Sequence, residues 1–388
     1  MVHSYGLSAP AQEHVSVAIK IAEQEASANA AEVDELARFP VESMKRLADS
    51  GLMGLCLPKE FGGQGEGMRS FAAVTEELAM ACGSTAMVYV MHTAAAQAIA
   101  SSTIFAERES LLKEISSGKH LTTLAFSEVG SRSQFWAPTS KLEETNGHFT
   151  TSASKSWVTS AGHADSYVST AQKPNAASPL ESTVYLVRSK AHGVSVTGAF
   201  NGLGLRGNDS APVALAGIEV KRDALISNPG DGPTVILQVV LPWFAIGTAA
   251  MANGLCRAAV QRTIEHLTGT GFEHDGSKLR DLPNLRARLA EMSTRTEQSR
   301  ALLGHTLNQI EEPSELTPLF VLQSRLAALE AALDVTDLAM KACGGAAFSR
   351  HLAIERLFRD ARAGWVMAPT ADHLRDFIGK ALTGLPLF

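Results

Sequence analysis

The texture of the sequence changes twice, near residue 120 and again near residue 230, and this limits the folds open to the chain more than any other feature. Residues 10 to 118 carry apolar positions at three-to-four spacing, as in "EHVSVAIKIAEQEASANAAEVDELAR" and "PVESMKRLADSGL", which predicts helices. "LPKEFGGQGEG" interrupts them, and "SFAAVTEELAMACGSTAMVYVMHTAAAQAIASS" resumes as one or two buried helices. From 120 the segments shorten and become rich in β-branched and aromatic residues: "HLTTLAFSEV", "HFTTSASKSWVTS", "SYVSTAQK", "STVYLVRS", "GVSVTGAF" and "APVALAGIEV". Gly, Asn, Asp and Pro separate them, which predicts a small β domain of roughly 110 residues. After Pro233 the 3.6-residue period returns. "TVILQVVLPWFAIGTAAMANGLCRAAVQRTIEHL" reads as a helix buried on most sides, and two more long helices follow, the last stopped by Gly344-Gly345. The fold class is therefore mainly α with an inserted β domain. The expected division is 1–119 helical, 120–229 β-barrel or sandwich, and 230–388 a helical bundle.

With 388 residues, 45% of them hydrophobic, the chain is long enough for several cored domains. The net charge of −6 is spread along the sequence, and no basic block points to nucleic acid or an anionic membrane. Cys56, Cys82, Cys256 and Cys343 lie far apart, which excludes a C-x-x-C site and predicts no metal. The N-terminal stretch lacks a cationic start followed by an apolar run, so no signal peptide is expected. The apolar runs are broken by Gly, Pro or charge short of membrane-spanning length, so no membrane segment is expected and a cytoplasmic setting is.

Six strings, in order, resemble the acyl-CoA dehydrogenase family: "FPVESMKRLADSGLMGLCLPKEFGGQG", "AMVYVMHTAAAQAI", "LAFSEVGSRSQ", "KSWVTSAGHADSYV", "GLGLRGNDSAPVALAGIEV" and "CGGAAFSRHLAIERLFRDAR". The resemblance runs from about residue 15 to 379. It implies a three-domain flavoprotein fold ending in a four-helix bundle, FAD as cofactor with FMN as an alternative, and an acyl thioester, CoA- or carrier-bound, as substrate. It also implies fatty acid metabolism, an electron-acceptor protein or oxygen, and a homo-oligomer (dimer or tetramer), because the family's flavin site crosses subunits.

A flavin needs a flat slot, donors at its ring edge and partners for its phosphates. By resemblance, Trp157 packs against the isoalloxazine and Thr159 bonds its N5 and O4 side. The two alternate with Val158 and so share a face of one strand. Ser127 and Ser133 fall at the polar positions of the family's Ser/Thr-Glu-Pro-Gly-x-Gly-Ser-Asp loop. Here Val129 replaces its Pro, Arg132 a Gly and Gln134 an Asp; Arg132 is either a phosphate partner or a solvated loop side chain. The family's Gln-x-x-Gly-Gly reads Lys341-Ala342-Cys343-Gly344-Gly345, and Thr370 falls at the Thr of its Tyr-Glu-Gly-Thr string. Its Arg-x-x-Phe-Gly and Gln positions read Asp275 and Pro283, leaving Arg280, Arg286 and Arg288 as candidate phosphate partners or as a surface helix face.

The family's catalytic glutamate stands nine residues after the Arg of Arg-Asp-Ala. Counting from Arg359-Asp360-Ala361 puts Ala368 there, and alanine cannot accept a proton. The alternative seat, on the long apolar helix, falls at Phe244 beside Trp243. Asp372 is the nearest carboxylate, with Glu128 and His92 behind it. The expected readings of these are a helix cap for Asp372 and a satisfied helix histidine for His92. Arg206 and Asp209 are expected to fix a turn, and Arg359 and Asp360 to form an ion pair at the pocket wall. Three readings follow: a dehydrogenase with its base elsewhere; a flavin-dependent monooxygenase with a dry pocket of Trp136, Trp243, Phe244, Trp365 and Met367; and a non-catalytic partner subunit.

Overall fold

The computed structural model describes residues 5–145 and 147–387. The first four residues of the N-terminal stretch read for a signal peptide lie outside them. The N-terminal helices are α1 (Ala9–Ile21), α2 (Ser27–Glu35), α3 (Val41–Asp49), α4 (Met68–Ala81), α5 (Gly83–Ser101) and α6 (Arg108–Ser116). α1 and α2 form one rod through a π-helical turn at Ala22–Ala26, and Ser8 caps it by accepting from the Ala11 amide. The apolar segment expected as one or two helices is two, α4 and α5, broken at Cys82, whose backbone is extended.

The middle region forms two sheets. One has three strands, β1 (Thr122–Ala125), β4 (Ser166–Gln172) and β5 (Ser182–Arg188), with β1 parallel to β4. The other has the order β2 (Glu143–Thr145), β3 (His148–Val158), β7 (Ala211–Val220), β6 (Val194–Val196), all antiparallel. Their inner faces share a core of Phe149, Tyr167, Tyr185, Val213, Leu215 and Ile218. β3 carries a bulge just before its end: Lys155 pairs with Val213 but Val158 with Ala211, so one extra residue is accommodated there.

The C-terminal region holds α7 (Gly232–Val235), α8 (Leu241–Gly269), α9 (Pro283–Glu311), α10 (Thr317–Cys343), α11 (Gly345–Phe348), α12 (Ile354–Val366) and α13 (Ala371–Thr383). α7 and α8 are continuous through a π-helical segment at Ile236–Val240, which passes directly into Pro242 of α8. The expectation about apolar length needs correction. Gly232–Gly269 is one helix of 38 residues, long and apolar enough to cross a membrane. Its apolar surface is instead covered by α4, α9, α10 and α12, and Phe244 through Cys256 are buried without a break. One large core joins both helical regions to the inner face of β1, so the β domain is wedged between them.

Candidate functional site

The three regions meet around a cavity of about 1070 Å³. α5 contributes Met87 and Met91, β1 and its following loop Leu124 through Ser133, the end of β3 Ser156, Trp157 and Thr159, and the loop before β7 Phe200 through Leu205. The helical bundle closes it with Val240, Phe244, Arg359, Arg362, Ala363 and Val366 to Ala368. Most of the wall is hydrocarbon; the hydroxyls gather on the β-domain side, and Arg359 and Arg362 lie on the bundle side.

The bulge in β3 sets the most exposed part of that side. Trp157 takes φ 58°, a left-handed conformation unusual for a bulky residue, and its indole is 69% exposed. Its ring presents a flat wall, with the edge of Phe200 against it at 6.4 Å between centroids. Val158 turns the other way into the β core, and Thr159 is buried with its hydroxyl 3.0 Å from that of Ser210. Ser127, Ser133 and Thr159 all line the cavity with Trp157. Arg132 lies on the same rim in an exposed, left-handed position. A flat indole facing open space, a row of hydroxyls and an arginine fit a planar heteroaromatic ring joined to a phosphate tail.

The weak base candidates do not stand as bases. Glu128 borders the cavity, but every lone pair is engaged. Its Oε2 accepts from the amide and hydroxyl of Thr139 (2.8 and 2.6 Å) and the amide of Ser140 (2.7 Å). Its Oε1 accepts from the Ser140 hydroxyl and from Lys155 Nζ, both at 2.6 Å. Burial pushes this carboxyl up, but Lys155 and the hydroxyls outweigh burial and bring it down to about 2. His92 is wholly buried and outside the cavity. The Thr122 amide donates to its Nδ1 (3.2 Å), so Nε2 carries the proton and donates to the Met53 carbonyl (3.2 Å). Burial pulls it down to about 4, and it pins α5 to β1 as a neutral ring. Asp372 is 86% exposed and pairs with Arg375 at 3.0 Å. The cap of α13 is Thr370, whose hydroxyl accepts from the His373 amide, so Thr370 is engaged in the helix start and not on the cavity wall.

The wall residues divide in the same way. Phe244, Met367 and Ala368 face the cavity as expected. Trp243, one helical step from Phe244, packs on Phe71 at 5.4 Å instead. Trp365 lies under the Arg375 guanidinium at 5.3 Å, and Trp136 is buried among Phe135, His373 and Phe377. The expected Arg359–Asp360 pair does not form. Arg359 binds Asp34 (2.5 Å) and Glu355 (2.7 Å), while Asp360 accepts the Leu205 amide at 2.6 Å. Burial raises Asp360 to about 6. Arg206 and Asp209 hold the preceding turn, through the Asp34 carbonyl (2.8 Å) and the Gly162 amide (2.7 Å).

Lys341, Gly344 and Gly345 lie off this chain's cavity, at the far end of α10. Lys341 pairs with Asp337 at 2.6 Å, and its carbonyl accepts from Arg288 Nη1 at 2.8 Å. A side chain at Gly344 or Gly345 would meet nothing within 4 Å, so both glycines face open space. Arg286 is spent on the carbonyls of Arg280 and Asp281. Sequence reasoning missed Gly202 to Leu205, Ser210 and Arg362. All lie within strings that were singled out, but no pattern in those strings marks these positions as wall.

A hydroxyl-rimmed, largely apolar cavity at the junction of a helical, a β and a second helical region suits a flavin-dependent oxidoreductase. The chain matches the family "Acyl-CoA dehydrogenase, N-terminal domain" over residues 10–119, its middle domain over 123–218 and its C-terminal domain over 230–383. It belongs to the acyl-CoA dehydrogenase family, and FAD is the cofactor of this class. Among curated relatives, a probable acyl-CoA dehydrogenase of Bacillus subtilis (YngJ) is 24% identical, covering 93% of this chain and 94% of that protein. The mitochondrial short-chain specific acyl-CoA dehydrogenase of Bos taurus is 26% identical over 91% and 85% of the two chains. The butyryl-CoA dehydrogenase of Megasphaera elsdenii has the same fold, with a TM-score of 0.92, 20% identity and coverage of 98% and 100%.

Proposed function

We propose that this protein removes hydrogen across the α,β bond of an acyl thioester. The observation that carries the reading is the cavity itself, with its flat indole wall and hydroxyl row opposite a hydrocarbon end. When bound, FAD supplies the acceptor for the β-hydride. Trp157 would hold the ring system, Ser127 and Thr159 its polar edge, and Ser133 and Arg132 the phosphate side. Val240, Phe244, Val366 and Met367 would take the acyl chain and exclude water. Lys341, Gly344 and Gly345, exposed and off the chain's own cavity, suit the adenine end of a cofactor bound in a second copy, which makes a homodimer or homotetramer the working unit. The four cysteines are free thiols, in keeping with a reducing cytoplasmic compartment.

Neither seat for the base is acidic, because Ala368 and Phe244 occupy them. This favours a second reading, oxygenation by reduced flavin in a dry pocket, which needs no α-proton acceptor. Anaerobic titration of the FAD-loaded protein with straight-chain acyl-CoAs separates the two. Bleaching of the flavin supports dehydrogenation. Indifference to every thioester, together with oxygen uptake coupled to a hydroxylated product in a separate aerobic assay with reduced flavin, refutes it in favour of oxygenation. A protein that takes up no FAD refutes both and leaves a partner subunit.

A further inference from the structure

One hydrogen-bond donor in the cavity wall is fixed in place and has nothing to bind. Asn208 sits in the turn ahead of β7 and is 3% exposed. Its backbone amide donates to the Leu205 carbonyl at 3.0 Å, and its carbonyl accepts from the Ser160 amide at 2.9 Å. Its Oδ1 accepts from the Ser210 amide at 3.1 Å, closing an Asx turn around Asp209, which is left-handed at φ 49°. Only the side-chain oxygen can meet an N–H, so the carboxamide has one orientation, with its NH2 group on the side away from Ser210. Nδ2 has no hydrogen-bond partner among the described residues. It is not sealed in the core: it keeps accessible surface, and the space that Asn208 borders is the cavity.

Its neighbours make this donor one of a set. The Gly207 amide donates to Ser84 Oγ at 3.1 Å and ties the turn to α5, so the carboxamide cannot retreat. Ser210 places its hydroxyl 3.0 Å from that of Thr159, and both residues line the cavity. One of these hydroxyls donates to the other, and the accepting one keeps its own hydrogen. A polar group held rigidly in a largely hydrocarbon cavity costs free energy until an acceptor reaches it. A flat ring lying against Trp157 turns its edge towards Thr159, and Asn208 stands beside that edge through Ser210.

We infer that Asn208 Nδ2 donates to the C4 carbonyl of bound FAD and biases the cofactor towards its reduced form. The inference rests on the placement of the ring against Trp157 given above, and it holds for dehydrogenation and oxygenation alike. The C4 carbonyl gains electron density when the ring is reduced, so a hydrogen bond there is stronger to reduced than to oxidised flavin. Asn208 tunes the cofactor and takes no part in the bond changes.

Two variants keep the turn and change the donor. Asn208→Ser retains an oxygen for the Ser210 amide and ends short of the Nδ2 position. Asn208→Asp retains Oδ1 and puts an acceptor where the donor was. The midpoint potential of FAD is measured in substrate-free protein, together with the unfolding midpoint of each ligand-free protein. In Asn208→Ser, reduced FAD is expected to lose about 10-fold more affinity than oxidised FAD, which lowers the potential by about 30 mV. Asn208→Asp should lower it further, because a carboxylate there opposes the charge of the reduced ring. Both ligand-free variants should unfold close to the wild type. A side chain that only shaped the turn would weaken both redox forms equally, so an unchanged potential in Asn208→Ser overturns the inference. So does a fall confined to Asn208→Asp, which charge alone explains. Weaker thioester binding with an unmoved potential gives the donor to the substrate and overturns it as well. Failure of Asn208→Ser to fold overturns it too, since the side chain would then be spent on the turn. Undiminished FAD affinity in Trp157→Ala refutes the placement of the ring separately, whereas the potentials decide the role of Asn208 by themselves.

Discussion

Replacing Lys155 by Met strips the ammonium from a carboxylate that is almost completely buried. The Glu128 side chain is 1% exposed and that of Lys155 is 0% exposed. The carboxyl stands at about 2 against an ordinary 4.5, a shift worth roughly 3 kcal/mol in favour of the folded state. Part of that gain is returned by Lys155, whose own ammonium is pulled below the ordinary lysine range by burial despite Glu128. Breaking such a pair from one side leaves the other charge uncompensated, which costs about 3–5 kcal/mol. The expectation for Lys155→Met is therefore a loss of about 3 kcal/mol at pH 7. Because the folded carboxyl is depressed, its stabilisation is complete above the unfolded value and disappears as pH falls through 4.5 towards 2. The difference between wild type and variant should shrink on acidification accordingly. In Glu128→Gln/Lys155→Met the charges leave together, and most of the loss should return. Urea unfolding of the wild type, both single variants and the double variant, at pH 7 and pH 4, measures all three effects. A Lys155→Met protein within about 1 kcal/mol of wild type at pH 7, or a double variant as unstable as the sum of the singles, would show that the pair is not what holds the 128–140 loop to β3.

Asp360 should behave in the opposite sense. Burial raises it to about 6 from 3.8, so the folded state binds the extra proton and stability falls as pH rises between those values. Asp360→Asn keeps an acceptor for the Leu205 amide and should be at least as stable as wild type at pH 7, with a flatter pH profile between 4 and 6; a less stable variant refutes this. Ala368→Glu places a carboxylate on the cavity wall, and anaerobic flavin reduction by an acyl-CoA should accelerate by about 100-fold or more; an unchanged rate refutes the assignment of that seat. Trp157→Ala should bind FAD more weakly, so that the flavin is released at higher protein concentrations than from the wild type, without lowering the unfolding midpoint, because an indole 69% exposed adds little to the core; cofactor affinity is read by fluorescence of the freed flavin. Gly204→Ala should destabilise strongly and disturb the cavity, since its Cβ would collide with the Arg359 carbonyl and lie 2.7 Å from the Asp360 amide; a wild-type midpoint refutes it.

Much of the fold was legible because the hydrophobic period itself changes, from 3.6 to 2 and back. The six strings expected as strands contain β1 and β3 to β7. β2 was missed: Glu143–Thr145 is exposed along its whole length and has no buried face to imprint an alternation. The π-helical turns at Ala22–Ala26 and Ile236–Val240 are equally silent, since one residue of slack leaves the spacing of apolar side chains almost unaltered. At the site, chemistry with a local signature could be read: Trp157, Thr159, Ser127 and Ser133 border one cavity. What could not be read was which nearby carboxylates face it. Asp372 is two residues from Thr370 in sequence, yet helix α13 points it outward, and Glu128 lies on the wall but is consumed by five donors.

The loop ahead of β7 is fastened from two sides. Gly204 lies against the α12 backbone at Arg359, Leu205 donates to Asp360, and Gly207 is pressed on Val33 and accepts no side chain there. These contacts engage the middle of α12 and stop short of its end, where Val366, Met367 and Ala368 reach the cavity. The wall at 366–368 can therefore change without disturbing the joint that gives the pocket its shape. A substitution at residue 368 would thus leave the vessel intact, open to a new substrate or a new reaction.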